Sequence, residues 1–327
     1  MNRALLIGSN YDDLPGTEND VKTMHGLLER FGFEPPDIKT LSGEEATRKR
    51  ILDAWHELIR DSSFGDGVVI YYSGHGGMTE QPETDDTDSD NTNSEPRYIQ
   101  YLVPSDFDKS MKTWKGILDS EISKLLRDTT DKTPNVTYIL DCCHSSRLGR
   151  GPQNLDKPIA KCLTNEEYRR LMGHIKNCRR RNELLEDDNW SNPSVVRIAA
   201  AADTEKAWQH KRGSNRYVGL FTEKLDAILR QSRIQSSWRN ILVGVNALIA
   251  RQCSHEEDPQ QPRSGGADGR IPFSLQVDSS QAVMAEIRKG HVKINGGRLR
   301  GFAEGDKFSL DPNTRFKVPR PETHTDR

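Results

Sequence analysis

The chain has 327 residues, enough to bury a sizeable core in one large α/β domain with an appendage or in two compact units. Lys and Arg number 47 against 49 Asp and Glu, and a net charge of -2 excludes a global field that would draw the chain to nucleic acid or to an anionic membrane. Five cysteines, an odd number with no CxxC pair, suit a reducing compartment better than a disulfide framework, and no apolar run approaches the ~18 residues of a membrane span. These features describe a soluble, cytoplasmic protein.

Short apolar runs alternate with helical patterns. ALLIG (4–8) reads as a buried strand, and NDVKTMHGLLERFGF as a helix with Val21, Met24, Leu27 and Leu28 on one face, stopped by Gly32. IKTLSG (38–43) is a strand, and RKRILDAWHELIRD (48–61) an amphipathic helix. A β-branched run then ends in glycines, GVVIYYSGHGG (67–77). After a helix near 119–128 comes the strand VTYILD (136–141). This rhythm predicts a mostly parallel sheet with helices on both faces, and ligands bind beyond the carboxyl ends of such strands.

Two segments interrupt the rhythm. The acidic stretch 79–96 holds almost no apolar residue and is expected to be a mobile loop. Residues 147–193 carry a basic helical segment, EEYRRLMGHIKNCRRRNELLE, and are expected to be a linker between two halves. The sheet resumes at VVRIAAA (195–201), followed by the helices GLFTEKLDAILRQ and WRNILVGVNALIARQ and a closing run near RIPFSL. Beyond about 276, glycines punctuate short β-like runs, which predicts a small β module (about 281–311) before a disordered tail.

Two strand ends carry the residues with chemistry. YYSGHGG sets His75 in a glycine-rich turn, and LDCCHSS sets Cys143 just past the next strand on the same sheet edge. A thiolate becomes a strong nucleophile when an imidazole takes its proton. Glycines beside His75 let backbone amides approach a reacting carbonyl, so Gly76 and Cys143 are candidate oxyanion donors. His144 adjoins the cysteines, but neighbours on an extended segment point opposite ways, which makes it the poorer base. A structural zinc module built on Cys142, Cys143, His144 and Cys162 is a rival reading, though it lacks the paired short spacings of such sites.

With YSGHG at 72–76 and D-x-C-H-S at 141–145, the chain resembles the caspase-like cysteine peptidases, and the metacaspases in particular. The interval between His75 and Cys143 exceeds the ~50 residues usual in caspases by about the length of the acidic insertion. ALLIG, LPGTENDV (14–21), YLVPSDF (101–107) and IAAAADTEKAW (198–208) also take part in the resemblance, which extends over about 1–275. It implies a caspase-like three-layer α/β sandwich with a six-stranded sheet. The implied organisation is a peptidase domain at 1–275 and a β module with tail at 276–327. Within the peptidase domain it implies a large-subunit-like part at 1–146, a linker at 147–193 and a small-subunit-like part at 194–275.

The resemblance makes Cys143 the nucleophile and His75 the general base and acid, and leaves Cys142 at a variable position. Asp20, Ser73 and Asp141 fall on the family's substrate-pocket positions. Acids there favour cleavage after Arg, then Lys. The bland alternative has Asp20 capping a helix that starts at Val21, and Asp141 orienting a turn. Arg147, Arg150, Arg179, Arg180 and Arg181 are candidates for self-cleavage in the linker. No metal site is assigned. Many family members use calcium, and Asp119 with Glu121 beside it falls near one such position. Arg150 stands where the family has an acid, another acid is absent near Ile99 and Gln100, and Asp85, Asp86, Asp88 and Asp90 lack the glycine and register of an EF-hand loop. The family's setting implies protein substrates, a zymogen form, a role in programmed cell death and a monomer. An inactive caspase-like adaptor is the competing reading from a different class.

Overall fold

The structure, a computed structural model, describes residues 1–12, 14–80, 98–107, 114–143, 159–161, 168–184, 192–202, 205–213, 216–230, 236–253, 260–278, 285–288 and 291–294. In chain order the elements are β1 (Asn2–Gly8), α1 (Thr17–Arg30), β2 (Ile38–Ser42), α2 (Arg48–Asp61), β3 (Gly67–Ser73), β4 (Gly76–Glu80), β5 (Tyr98–Leu102) and β6 (Ile117–Leu118). They continue with α3 (Asp119–Thr130), β7 (Val136–Asp141), β8 (Ile159–Ala160), α4 (Tyr168–Arg180), β9 (Val195–Ala199), β10 (Trp208–Arg212) and β11 (Arg216–Gly219). The last are α5 (Leu220–Leu229), α6 (Trp238–Gln252), β12 (Arg263–Gly266), β13 (Ala285–Arg288) and β14 (His291–Ile294).

Six strands form the central sheet in the order β12-β9-β7-β3-β1-β2, parallel throughout except at the β12 edge. Every residue of β3 is buried, as expected of a strand covered on both faces. The period of two sorts its neighbours cleanly. Leu5, Ile7, Val68, Ile70, Tyr72, Val136 and Tyr138 share one core cluster with Ile51, Trp55 and Leu58 of α2 and with Leu125 and Leu126 of α3. Ala4, Leu6, Val69, Tyr71, Ile139 and Ile198 face the other way, into a cluster with α1, α5 and α6. The result is the expected three-layer sandwich.

Local sequence explains the layers. Ile51, Ala54, Trp55 and Leu58 lie one helical turn apart and form the buried stripe of α2, and Thr47 caps the helix by accepting the Arg50 amide at 3.3 Å. Trp55 is 1% exposed and its indole donates to Thr129 Oγ1 at 3.2 Å, so truncating it to alanine would cost ~3–5 kcal/mol.

The expected closing run near RIPFSL is not a strand of the sheet. That stretch turns, with a lone bridge from Arg270 to Val277, and the sixth strand is Arg263–Gly266, the glycine-rich RSGG. Gly266 has φ +66, and a Cβ there would lie 2.0 Å from the Val195 carbonyl oxygen, so no apolar side chain can sit where the strand meets β9. Two side sheets were not expected: β4-β5-β6 and β11-β10-β8, each antiparallel. In the C-terminal segment β13 and β14 pair as a hairpin. The acidic insertion lies outside the described residues apart from its first two positions, which end β4, and the tail lies outside them as well.

Candidate active site

The parallel register sets the site. Gly8, Ser73 and Asp141 stand side by side at the carboxyl ends of β1, β3 and β7. His75 and Cys143 each follow two residues later, where the chain leaves the sheet, and both are buried at 3% and 2% exposure. Tyr72 fixes the first turn by donating from its hydroxyl to the His75 carbonyl oxygen at 2.8 Å, and the Val103 amide donates to the same oxygen at 3.1 Å. The glycines flanking His75 have a steric reason as well as the one expected. A Cβ on Gly74 would lie 2.4 Å from the Tyr72 hydroxyl, and one on Gly77 would lie 2.3 Å from the Tyr101 ring. Tyr11 meets the His75 ring edge-on at 6.5 Å.

The adjacent cysteines part company. Cys143 belongs to the cluster under α1 and α5, Cys142 to the opposite one, where burial pushes its thiol above the ordinary range. Two thiols on opposite faces of a sheet cannot share one ion, which removes the zinc reading built on the pair. His144, Cys162, Arg147 and Arg150 lie outside the described residues.

Asp20 does not cap a helix. α1 begins at Thr17 with Gly16 as its N-cap, so Asp20 lies within the first turn, fully buried, and its side chain turns toward the sheet. Gly8 permits this approach, since a Cβ there would be 2.9 Å from the Thr17 carbonyl oxygen. Asp20 Oδ1 accepts the Gly219 amide at 2.7 Å and Oδ2 accepts the Ser73 hydroxyl at 2.8 Å. Opposite, Asp141 Oδ2 accepts the Thr222 hydroxyl at 2.6 Å, and Thr222 is in turn hydrogen-bonded to Tyr71 at 2.6 Å. The three expected pocket residues thus line one chamber, with Gly219 and Thr222 as members that the sequence did not signal.

The chamber is filled by the chain itself. Lys161, 0% exposed, donates from Nζ to Asp20 Oδ2 at 3.0 Å and to Ser73 Oγ at 2.9 Å, and its ammonium lies 3.0 Å from Asp141 Oδ1 as an ion pair. Burial alone would lower its pKa, but Asp141 and Asp20 more than reverse that and hold the lysine charged. Asp20 is raised by burial and by Asp141, against the pull of Lys161. The Lys161 main chain is equally engaged. Its carbonyl oxygen accepts the Gly76 amide at 3.1 Å and the Cys143 amide at 3.2 Å, while its own amide donates to Ala207 at 3.0 Å. The preceding residues, Ile159–Ala160, pair antiparallel with Trp208 and Gln209 of β10. No pattern in DKPIAKC marked Lys161, and the linker arginines Arg179, Arg180 and Arg181 sit exposed at and just past the end of α4.

One group of three potential metal ligands exists among the described residues: Glu121, His174 and Cys178. His174 Nε2 lies 3.1 Å from Glu121 Oε2 and 3.2 Å from Cys178 Sγ. Glu121, however, is already paired with the Arg48 guanidinium and accepts the Leu118 amide at 3.0 Å. Burial raises the Glu121 pKa, but His174 and Arg48 outweigh it and bring it down to about 2, while burial and Glu121 push the Cys178 thiol up to about 12. A thiol so firmly protonated donates to the carboxylate, and the cluster fastens α4 to α2 and α3.

Asp119, expected near a calcium position by resemblance, has Oδ1 accepting the Ser120 amide at 2.7 Å, and burial raises its pKa to about 7. Its neighbour Glu121 is committed to Arg48.

Comparison with known proteins bears on the family and the fold. The chain is 28% identical over 291 residues to metacaspase-2 of Trypanosoma brucei brucei, with 84% of this chain and 76% of that protein covered. It is 37% identical over 159 residues to metacaspase-7 of Arabidopsis thaliana, covering 45% of this chain and 35% of that one. Among solved structures, the crystal structure of protein GSU0716 from Geobacter sulfurreducens shares the fold with a TM-score of 0.58 at 18% identity, over 84% of this chain and 99% of that one. A family model described as the caspase domain matches residues 1–266, and the chain belongs to that family of cysteine peptidases, with metacaspases among its relatives.

Proposed function

We propose that the chain is a cysteine endopeptidase that cuts after Arg or Lys, with Cys143 as nucleophile and His75 as general base and acid. The observation that carries this reading is the seat of Lys161: a basic side chain in a chamber of two carboxylates, with its carbonyl oxygen accepting the Gly76 and Cys143 amides. Those amides are the proposed oxyanion donors. They converge on the atom that becomes negative when a thiolate attacks the carbonyl carbon. His75 takes the thiol proton and delivers it to the leaving amine, giving a thioester that water hydrolyses. Asp20, Ser73 and Asp141 select the substrate, because a dry pocket with two carboxylates rejects an acidic side chain.

The same reading extends to setting and organisation. By family resemblance the protein is a cytoplasmic zymogen, monomeric, acting on proteins with accessible basic residues in programmed cell death or stress. It also divides the chain into a peptidase domain at 1–275 and a β module with tail at 276–327, with self-cleavage in the linker.

Matched fluorogenic peptides ending in Arg, Lys or Asp test the central claim, with wild-type protein and Cys143→Ala, each with calcium and with chelator. Cleavage after Arg and Lys but not Asp, lost in Cys143→Ala, is expected. Equal cleavage after Asp would refute the acidic pocket, and undiminished activity in Cys143→Ala would refute the nucleophile.

A further inference from the structure

We infer that Tyr11 is the positioning residue of His75: its ring holds the imidazole in the rotamer that serves Cys143. This deepens the peptidase reading above and rests on it. The His75 main chain is already fixed. Its carbonyl oxygen accepts the Tyr72 hydroxyl at 2.8 Å and the Val103 amide at 3.1 Å, and the next amide, Gly76, donates to Lys161 at 3.1 Å. Those bonds leave the side-chain torsions unset. A general base turned away by one rotamer is out of reach of its thiol, so what packs against the imidazole decides how often the dyad is assembled.

Tyr11 packs there. It lies just past the end of β1, and its ring stands perpendicular to the imidazole, at 83° with the centroids 6.5 Å apart. Tyr11 is itself held. Phe107 meets it at 5.5 Å and 86°, Trp114 meets Phe107 at 5.4 Å and 89°, and Tyr101 meets Trp114 at 4.8 Å and 77°. The circuit then closes on the turn it started from, because a Cβ on Gly77 would lie 2.3 Å from the Tyr101 ring. The glycine-rich turn is therefore gripped from both sides, Gly77 against Tyr101 and His75 against Tyr11. Tyr101, Phe107 and Trp114 are buried, and Leu171 and Ile175 of α4 pack in the same cluster, which leaves the rings little room to swing. A perpendicular aromatic pair is worth roughly 2- to 12-fold in an equilibrium between two positions, and Tyr11 makes two such contacts. On the proposed function the basic side chain of a substrate is held elsewhere, by Asp20, Ser73 and Asp141, so losing the brace lowers kcat and spares KM.

Two variants separate the ring from its surroundings. Tyr11→Leu removes the ring and keeps an apolar side chain, whereas Tyr11→Phe keeps the ring. With peptides ending in Arg, and rates expressed per mole of folded protein, Tyr11→Leu is expected to lower kcat roughly 10-fold with KM within about twofold of wild type, and Tyr11→Phe to keep kcat within about threefold. Equal kcat in Tyr11→Leu and wild type would overturn the inference. So would a loss confined to KM, or a Tyr11→Phe protein as slow as Tyr11→Leu, which would move the role from the ring to the hydroxyl.

A second readout needs no substrate. Iodoacetamide alkylates a thiolate, and at about pH 6 an unassisted cysteine stays protonated, so the rate at Cys143, read by mass spectrometry, reports how well His75 serves it. Tyr11→Leu should slow that alkylation roughly 10-fold and Tyr11→Phe should leave it unchanged. Equal rates in all three proteins refute the positioning role. Slowed alkylation in Tyr11→Leu with no peptide hydrolysis in any form would leave Tyr11 standing and sink the peptidase reading, while wild-type hydrolysis and alkylation in Tyr11→Leu would do the reverse.

Discussion

Gly219→Ala isolates the pocket from the rest of the fold. At φ −67° and ψ 130° this backbone accepts alanine without strain, and the amide that donates to Asp20 is retained. The methyl group, however, would lie 2.3 Å from Asp141 Oδ2, 2.8 Å from Asp20 Oδ2 and 2.8 Å from Lys161 Nζ. A comfortable carbon–oxygen contact is ~3.5 Å, so Asp141 would have to retreat by about 1 Å. It cannot do so freely, because its Oδ2 is held by the Thr222 hydroxyl at 2.6 Å. The ammonium is the group that leaves. Loss of one partner from a buried ion pair costs ~3–5 kcal/mol, equivalent to roughly 10²–10³-fold or more in kcat/KM for peptides ending in Lys or Arg. The assay is steady-state hydrolysis on cut enzyme, alongside circular dichroism to show that the fold survives. A folded Gly219→Ala protein within threefold of wild-type kcat/KM would refute the assignment of this chamber as the basic-side-chain pocket.

Cys142→Ala is expected to keep activity within a few fold, because its buried thiol faces the α2 and α3 layer, whereas Cys143→Ala abolishes it; peptide hydrolysis decides. Arg48→Met leaves Glu121 buried beside His174 without its main cation, and should lower stability by ~3–5 kcal/mol in chemical denaturation. Glu121 and Glu223 are each held down to about 2 by their His, Arg and Lys partners despite burial. The stability they add is present above the ordinary glutamate value and is lost as pH falls from ~4.5 toward 2, which an acid titration of Glu121→Gln against wild type will show as a shallower slope in the variant. Asp119 has the opposite sign: burial raises it to about 7, so stability present below the ordinary aspartate value drains away as pH rises from ~4 through 7. Asp119→Asn should gain on wild type by on the order of 4 kcal/mol across that window, measured as unfolding free energy against pH.

Most of the sandwich was legible because its elements follow simple periods. The α2 stripe repeats every three or four residues, β3 is a β-branched run buried throughout, and α2 and β7 begin and end at the residues their patterns indicated. β12 was not legible, since RSGG carries no apolar signal and owes its place to a left-handed glycine packed on the Val195 carbonyl. The side sheets escaped for a related reason. β6 and β8 have two residues each, too short for any period to appear. At the site, glycine-rich turns and a cysteine after a strand drew attention to His75 and Cys143, and parallel register then places Ser73 beside Asp141. Gly219, Thr222 and Lys161 had no such mark. They reach the chamber from β11, α5 and the stretch after β8, and what selects them is a spatial requirement for a small residue, a donor and a cation, none of which leaves a local pattern in a single chain.

The chamber also couples recognition to folding. Two buried carboxylates a few ångströms apart cannot both stay charged without a cation between them, and the raised Asp20 carries that tension even with Lys161 in place. Lys161 supplies that cation, so the chamber forms with both carboxylates already in position. On the proposed function, a basic substrate takes the place of Lys161 between the carboxylates, in competition with water and with a proton on Asp20. The proton competes with substrate most effectively at low pH, because protonated Asp20 offers the incoming cation one charge fewer. Affinity for basic peptides should therefore weaken on acidification before catalysis itself fails, and KM measured on cut enzyme should climb as pH falls while Asp20→Asn, already lacking that charge, starts with a high KM and shows little further rise.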